Sequence, residues 1–118
     1  MTQNIRKQFN QQLMKLIATS GKVTSTVMQL LDSSSELTLQ EKWEQLDKAK
    51  QMNVEAHNVQ TNLIQAEVRG EPTPISLLAI HAQDHFMNSQ LLVQLAEMLL
   101  KQQEQIEALT DKLKGVGE

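Results

Sequence analysis

The placement of helix-breaking residues is the feature that most constrains the fold of this chain. Both prolines lie in one segment, GEPTP at residues 70–74, and two of the four glycines lie in the last four residues. The rest of the sequence is rich in helix formers and has almost none of the alternation that strands show. The chain is therefore predicted to be all-α, with long helices joined by short connections.

Apolar side chains at steps of three and four predict the first helix, from about Ile5 to about Leu31. Ser20 fills the one gap in this series, and Gly21 interrupts the helix at a cost of roughly 1 kcal/mol relative to Ala. The second helix has a similar series. The predicted inward positions are Phe9, Leu13, Leu16, Val23, Val27 and Leu30 in the first helix, and Leu39, Trp43, Leu46, Ala49, Met52, Ala56, Val59, Leu63 and Ala66 in the second.

Capping signals predict where the second and third helices begin. Thr38, followed three residues later by Glu41, has the spacing of a capping box. Thr73 is the predicted N-cap of the third helix, because Pro74 suits the first helical position. That helix is expected to run to about Leu113. The connections are short, so neighbouring helices should be antiparallel, as in a three-helix bundle.

Two heptad seams run side by side along the third helix. One of them is expected to pack on the first two helices. The other is more apolar than a small monomer needs, so contact with another subunit is predicted. The first seam is Leu78, His81, His85, Asn88, Leu92, Leu95, Leu99, Gln102, Ile106, Leu109 and Leu113, and the second is Leu77, Ile80, Asp84, Met87, Leu91, Gln94 and Met98.

Composition narrows the possible classes of function. The length of 118 residues suits one domain, residues 1–118, with a polar C-terminal tail at about 114–118. A formal net charge of −3 argues against general nucleic-acid binding, and the absence of cysteine excludes disulfides and thiolate metal sites. No apolar run approaches a membrane span and no signal peptide is evident, so a cytoplasmic protein is expected.

The segment IHAQDHFM, residues 80–87, concentrates chemically active side chains within a predicted helix. His81, Asp84 and His85 could bind a metal, carry a reactive group, or form hydrogen bonds that fix helix register. The histidine spacing occurs in zinc proteases, but their HExxH glutamate and third ligand are missing here. Asp84 would be buried on assembly, where three copies meeting at an axis could share a cation such as Mg²⁺. His57 is either a surface residue or a polar partner of this cluster.

Two longer motifs resemble a known protein family. EAHNVQTNLI (residues 55–64) and RGEPTPISLLAIHAQDHFM (residues 69–87) are similar to the lactose/cellobiose-type enzyme IIA of the bacterial phosphotransferase system. The family pattern is approximately EAHxxQT, then GE, then SLLxxHAQDHLM. The resemblance covers roughly residues 55–100, with Phe86 in place of the usual leucine.

The resemblance implies a three-helix subunit in a homotrimer. It implies that His81 takes phosphate from the histidine-containing phosphocarrier protein and passes it to the cysteine of a IIB partner. His85 and His57 would support His81, and Asp84 would lie at the trimer axis near Mg²⁺ or another divalent cation. Contact with the membrane would be indirect, through the IIC permease. The transported sugar would be a β-linked disaccharide of the cellobiose/chitobiose or lactose type. The alternative is a non-catalytic helical interaction protein that kept the fold.

Overall fold

Three long helices make up the protein in the computed structural model, which describes residues 3–116. They are α1 (Gln3–Leu31), α2 (Leu39–Val68) and α3 (Leu77–Val116). The described residues contain no strand, and the all-α prediction is confirmed. None of the three described helices is both long and apolar enough to cross a membrane.

The first two helices begin and pack as predicted. α1 is continuous through Gly21. The Thr38 side chain accepts a hydrogen bond from the Glu41 N–H at 3.1 Å, and Glu41 Oε1 accepts one from the Thr38 N–H at 3.3 Å. The predicted capping box is therefore confirmed.

In the connection between α1 and α2, Asp32 Oδ1 accepts hydrogen bonds from the backbone N–H and the hydroxyl of Ser34. These bonds lower the pKa of Asp32.

The core consists of two clusters stacked along the bundle. At one end of the bundle the early part of α1 packs with the late part of α2, and at the other end the late part of α1 packs with the early part of α2. These two helices are therefore antiparallel. The same pattern of contacts makes α2 and α3 antiparallel. One cluster is Leu13, Leu16, Ala56, Val59, Ala82 and Phe86; the other is Val23, Val27, Leu30, Leu46, Ala49, Val93, Ala96 and Leu100.

A polar side chain separates the two clusters on each helix. Ser20 on α1 and Ser89 on α3 are fully buried, and Asn53 on α2 is half-buried. The Ser89 hydroxyl lies 2.8 Å from the Phe86 carbonyl oxygen and 3.1 Å from Asn53 Oδ1, so its one proton has two acceptors within reach. The Ser20 hydroxyl has no hydrogen-bond partner among the described residues.

The start of α3 differs from the prediction. The helix begins at Leu77, and the Ser76 hydroxyl accepts a hydrogen bond from the Ala79 N–H at 3.1 Å, so Ser76 acts as the cap. The predicted cap at Thr73 and first helical position at Pro74 are wrong. Serine is also a favoured cap residue, and the hydroxyl of Ser76, three residues further along, takes the role. α3 continues to Val116, slightly beyond the predicted end at Leu113.

The inward face of α3 also differs from both predicted seams. The buried residues form a third seam, one residue along from the first: Ala82, Phe86, Ser89, Val93, Ala96 and Leu100. The small residues of this seam, Ala82, Ser89 and Ala96, let α3 approach the other two helices closely, and Phe86, Val93 and Leu100 fill the core between them. Several other large apolar side chains of α3, such as Ile80, Met87 and Leu91, are exposed. The predicted first seam is half-buried at some positions and exposed at others, and every member of the second seam is exposed.

The last part of α3 projects beyond the other helices. The bundle measures 74 × 24 × 20 Å, and α3 has 40 residues against 29 and 30 for α1 and α2. Between residues 101 and 116 every side chain except Gln103 is exposed. At the base of this projection, Trp43 Nε1 donates a hydrogen bond to Glu104 Oε1 at 2.6 Å. Trp43 is half-buried and packs on the core cluster, in agreement with its predicted inward position.

Candidate functional site

Two histidines stand side by side near the start of α3. His81 and His85 are one helical turn apart, and their ring centroids lie 4.4 Å from each other in an edge-to-face arrangement, with 79° between the planes. His81 is exposed and His85 is half-buried. The structure therefore brings these two predicted site residues together and leaves His81 open to a partner.

The opposite flank of α3 faces α2. Gln83 Oε1 accepts a hydrogen bond from Gln60 Nε2 at 2.7 Å. At about 100° per residue, Gln83 lies on one side of the inward-pointing Ala82, and His81 lies on the other side. The histidine pair therefore lies on the flank away from α2.

His57 is not part of the histidine pair within one chain. It is exposed on α2, and its Nε2 lies 3.4 Å from the Thr61 hydroxyl. Its one ring contact among the described residues is with Phe86, at a centroid distance of 6.1 Å. His57 thus shares the α2 side of the molecule with Gln83 and has no ring contact with His81 or His85.

Asp84 points away from the core, on the exposed apolar face of α3. Its neighbours along this face include Ile80, Met87, Leu91 and Met98, which are between 55% and 60% exposed. No group of three or more His, Cys, Asp or Glu side chains within residues 3–116 could hold a metal ion. One carboxylate per chain does not make a cation site, so the predicted Asp84 site requires further copies of the chain.

An apolar groove of about 550 Å³ lies between the three helices and the loop that joins α2 to α3. Pro74 and Ile75 of this loop line it, together with Ile64, Ile80 and Asp84. Neither His81 nor His85 lines this groove. Thr73 and Pro74, which were predicted to begin α3, therefore line this groove beside Asp84 instead.

The pairing of Gln60 with Gln83 was not predicted from the sequence. Both residues belong to the quoted motifs, but their contact depends on how α2 and α3 align, which local spacing does not fix. The adjacency of His81 and His85 was predictable, because residues four apart on a helix are always neighbours.

The chain matches the family model described as "PTS system, Lactose/Cellobiose specific IIA subunit" over residues 11–104. This span includes the core of all three helices and the complete histidine segment. The chain belongs to this family. It is therefore a IIA-type component of sugar phosphotransferase systems, and the resemblance noted in the two motifs is confirmed.

Individual members of the family are similar over nearly their whole length. A lichenan-specific phosphotransferase enzyme IIA component of Bacillus subtilis is 30% identical, over 86% of this chain and 93% of its own. An N,N'-diacetylchitobiose-specific EIIA component of Escherichia coli is also 30% identical, over 91% and 92%. The crystal structure of the cellobiose-specific enzyme IIA from Bacillus anthracis has 40% sequence identity and a TM-score of 0.79, over 92% of this chain and 94% of that one.

Proposed function

We propose that this protein is a phosphocarrier in the uptake of a β-linked disaccharide, with His81 as the phosphorylated residue. The sugars named for the similar proteins, which include lichenan, cellobiose and diacetylchitobiose, support this class of sugar. The observation that carries the proposal is the exposed His81 ring beside His85 in a IIA-family chain. The chain would act in the cytoplasm and meet the membrane only through the IIC permease.

The proposed reaction has two displacements at phosphorus. A ring nitrogen of neutral His81 attacks the phosphoryl group on the histidine-containing phosphocarrier protein, so the donor N–P bond breaks and a new N–P bond forms. The thiolate of the IIB cysteine then attacks the same phosphorus and releases His81. Such transfer depends on in-line approach and on donors to the phosphoryl oxygens. His85, one turn away, is placed to supply one such donor.

We expect three copies of the chain to assemble with the exposed apolar faces of their α3 helices turned toward a common three-fold axis. Burying this face removes Ile80, Met87, Leu91 and Met98 from water, which a single chain cannot do. In a three-fold ring, one flank of each α3 faces the opposite flank of the next. The His81 flank of one copy would then meet the neighbour's Gln83 flank, which also carries His57.

The same arrangement would bring three copies of Asp84 together. Carboxylate oxygens are the ligands that Mg²⁺ and other hard divalent cations prefer. Such an ion would offset the repulsion between the three charges and hold the copies together. In this proposal the cation has an assembly role, and His81 carries the transfer chemistry.

The test is phosphorylation by phosphoenolpyruvate and the general phosphotransferase enzymes, followed by intact mass measurement. Wild-type protein should gain one acid-labile phosphoryl group, and His81→Ala should gain none. His85→Ala should still be phosphorylated, but slower by roughly tenfold or more in single-turnover transfer, because a charge-assisted hydrogen bond contributes about 1.5–3 kcal/mol. Phosphorylation of His81→Ala would contradict the assignment. A wild-type protein that stays unmodified would favour the non-catalytic interaction protein.

A further inference from the structure

The pairing of His81 and His85 has a second chemical consequence. Both side chains extend from consecutive turns of one continuous helix, with ring centroids 4.4 Å apart. Neither ring forms a hydrogen bond or an ion pair with any other side chain in the part of the chain that the structure describes. Two imidazoles with uncommitted nitrogen lone pairs therefore stand at one accessible point on the surface.

We propose that His81 and His85 form a two-nitrogen site for a borderline divalent transition ion such as Zn²⁺, Cu²⁺ or Ni²⁺. Imidazole suits these ions, and histidines four residues apart on a helix can bind one ion together. Water completes the coordination shell, because residues 3–116 contain no cluster of three or more metal-binding side chains. With only two protein ligands, the ion exchanges readily and is not a structural metal.

This site differs in chemistry from the proposed cation site at Asp84. Mg²⁺ prefers oxygen ligands and retains its waters, so it binds poorly to paired imidazoles. The ions that bind the histidine pair also follow the Irving–Williams order, in which Cu²⁺ binds more tightly than Ni²⁺ or Zn²⁺. The two classes of cation can therefore be distinguished by titration.

Ion binding at this site excludes phosphoryl transfer, and this step rests on the proposed phosphorylation of His81. The bound ion occupies the ring that must attack phosphorus, and it engages the donor that His85 would offer. Phosphorylation of His81 in turn removes one of the two metal ligands. Because coupling between two binding events is reciprocal, each form of the chain disfavours the other.

The binding test is calorimetric titration of the untagged, unphosphorylated chain with Ni²⁺ in a non-chelating buffer. We expect one ion per chain, with affinity reduced by roughly tenfold or more in His81→Ala and in His85→Ala. Asp111→Ala is the matched control, because it removes an exposed potential metal ligand on the projecting part of α3, far from both histidines, and should leave Ni²⁺ binding unchanged. Circular dichroism checks that each variant is folded. Equal binding by wild type and His85→Ala, or loss of binding in Asp111→Ala, would overturn the site.

The competition test is single-turnover transfer from pre-phosphorylated phosphocarrier protein, with and without Ni²⁺. For wild type the rate should fall as the site fills and return when a chelator is added. For His85→Ala, transfer is slower, but the ratio of its rates with and without Ni²⁺ should stay near unity. Equal inhibition of both proteins would show that Ni²⁺ acts on the phosphocarrier protein, and the proposed competition at His81 would be wrong. A chain that binds Ni²⁺ through both histidines but accepts no phosphate would leave the metal site standing and overturn only the competition.

Discussion

At the scale of single residues, the two buried serines have opposite environments. The Ser20 hydroxyl is fully buried without a partner among the described residues, whereas the Ser89 hydroxyl has the Phe86 carbonyl oxygen and Asn53 Oδ1 as acceptors within reach. An unpaired buried hydroxyl costs about 1–3 kcal/mol, and a paired one contributes about 0.5–1.5 kcal/mol. Ser20→Ala should therefore raise the free energy of unfolding, and Ser89→Ala should lower it.

Urea denaturation at one fixed protein concentration measures both changes. The concentration must be the same for each protein, because assembly contributes to apparent stability. The two serines serve as controls for each other, since both changes remove the same hydroxyl from the same region of the core. Destabilisation by Ser20→Ala comparable to that by Ser89→Ala would mean that the Ser20 hydroxyl has a partner in solution.

At the scale of helices, the capping box at Thr38 fixes the start of α2. The Thr38 hydroxyl satisfies the N–H of Glu41, and no other side chain does so among the described residues. Thr38→Ala should lower the free energy of unfolding by about 1 kcal/mol, while Thr38→Ser, which keeps the hydroxyl, should change it little. Chemical denaturation monitored by circular dichroism measures this difference. A Thr38→Ser variant as unstable as Thr38→Ala would show that the methyl group, not the cap, matters.

The helices also show which parts of the fold local sequence determines. α1 and α2 each have one apolar stripe and were predicted closely. α3 was not, because its inward seam contains Ala82, Ser89 and Ala96, while larger apolar side chains face outward. The prediction assigned the inward face to the seams with the larger apolar side chains. The structure instead places a seam with small residues inward, because α3 lies close to two other helices. The His81–His85 pair follows from spacing alone, whereas the position of His57 depends on the alignment of two helices.

At the scale of the whole molecule, the outward face of α3 is the feature that a single chain leaves unexplained. Leu91 is 56% exposed there, between Met87 and Met98, which are exposed to a similar extent. Fully burying one such side chain contributes about 1.5–3 kcal/mol, so burying this face in three copies would stabilise a trimer substantially. Wild-type protein is therefore expected to be trimeric, and this prediction concerns the same face that carries Asp84.

Charge changes on this face should separate the roles of its apolar and acidic residues. Leu91→Lys places three uncompensated cations in the proposed interface, where they are costly to bury, so the trimer should dissociate. Met14→Lys is the matched control, because Met14 is 54% exposed and lies in a groove lined only by residues of α1. Asp84→Leu removes both the repulsion and the need for a cation, so it should remain trimeric and become insensitive to chelator. Sedimentation equilibrium of all four proteins, with and without chelator, measures their oligomeric states. A monomeric wild type, or a Leu91→Lys variant that stays trimeric, would show that this face does not form a trimer interface.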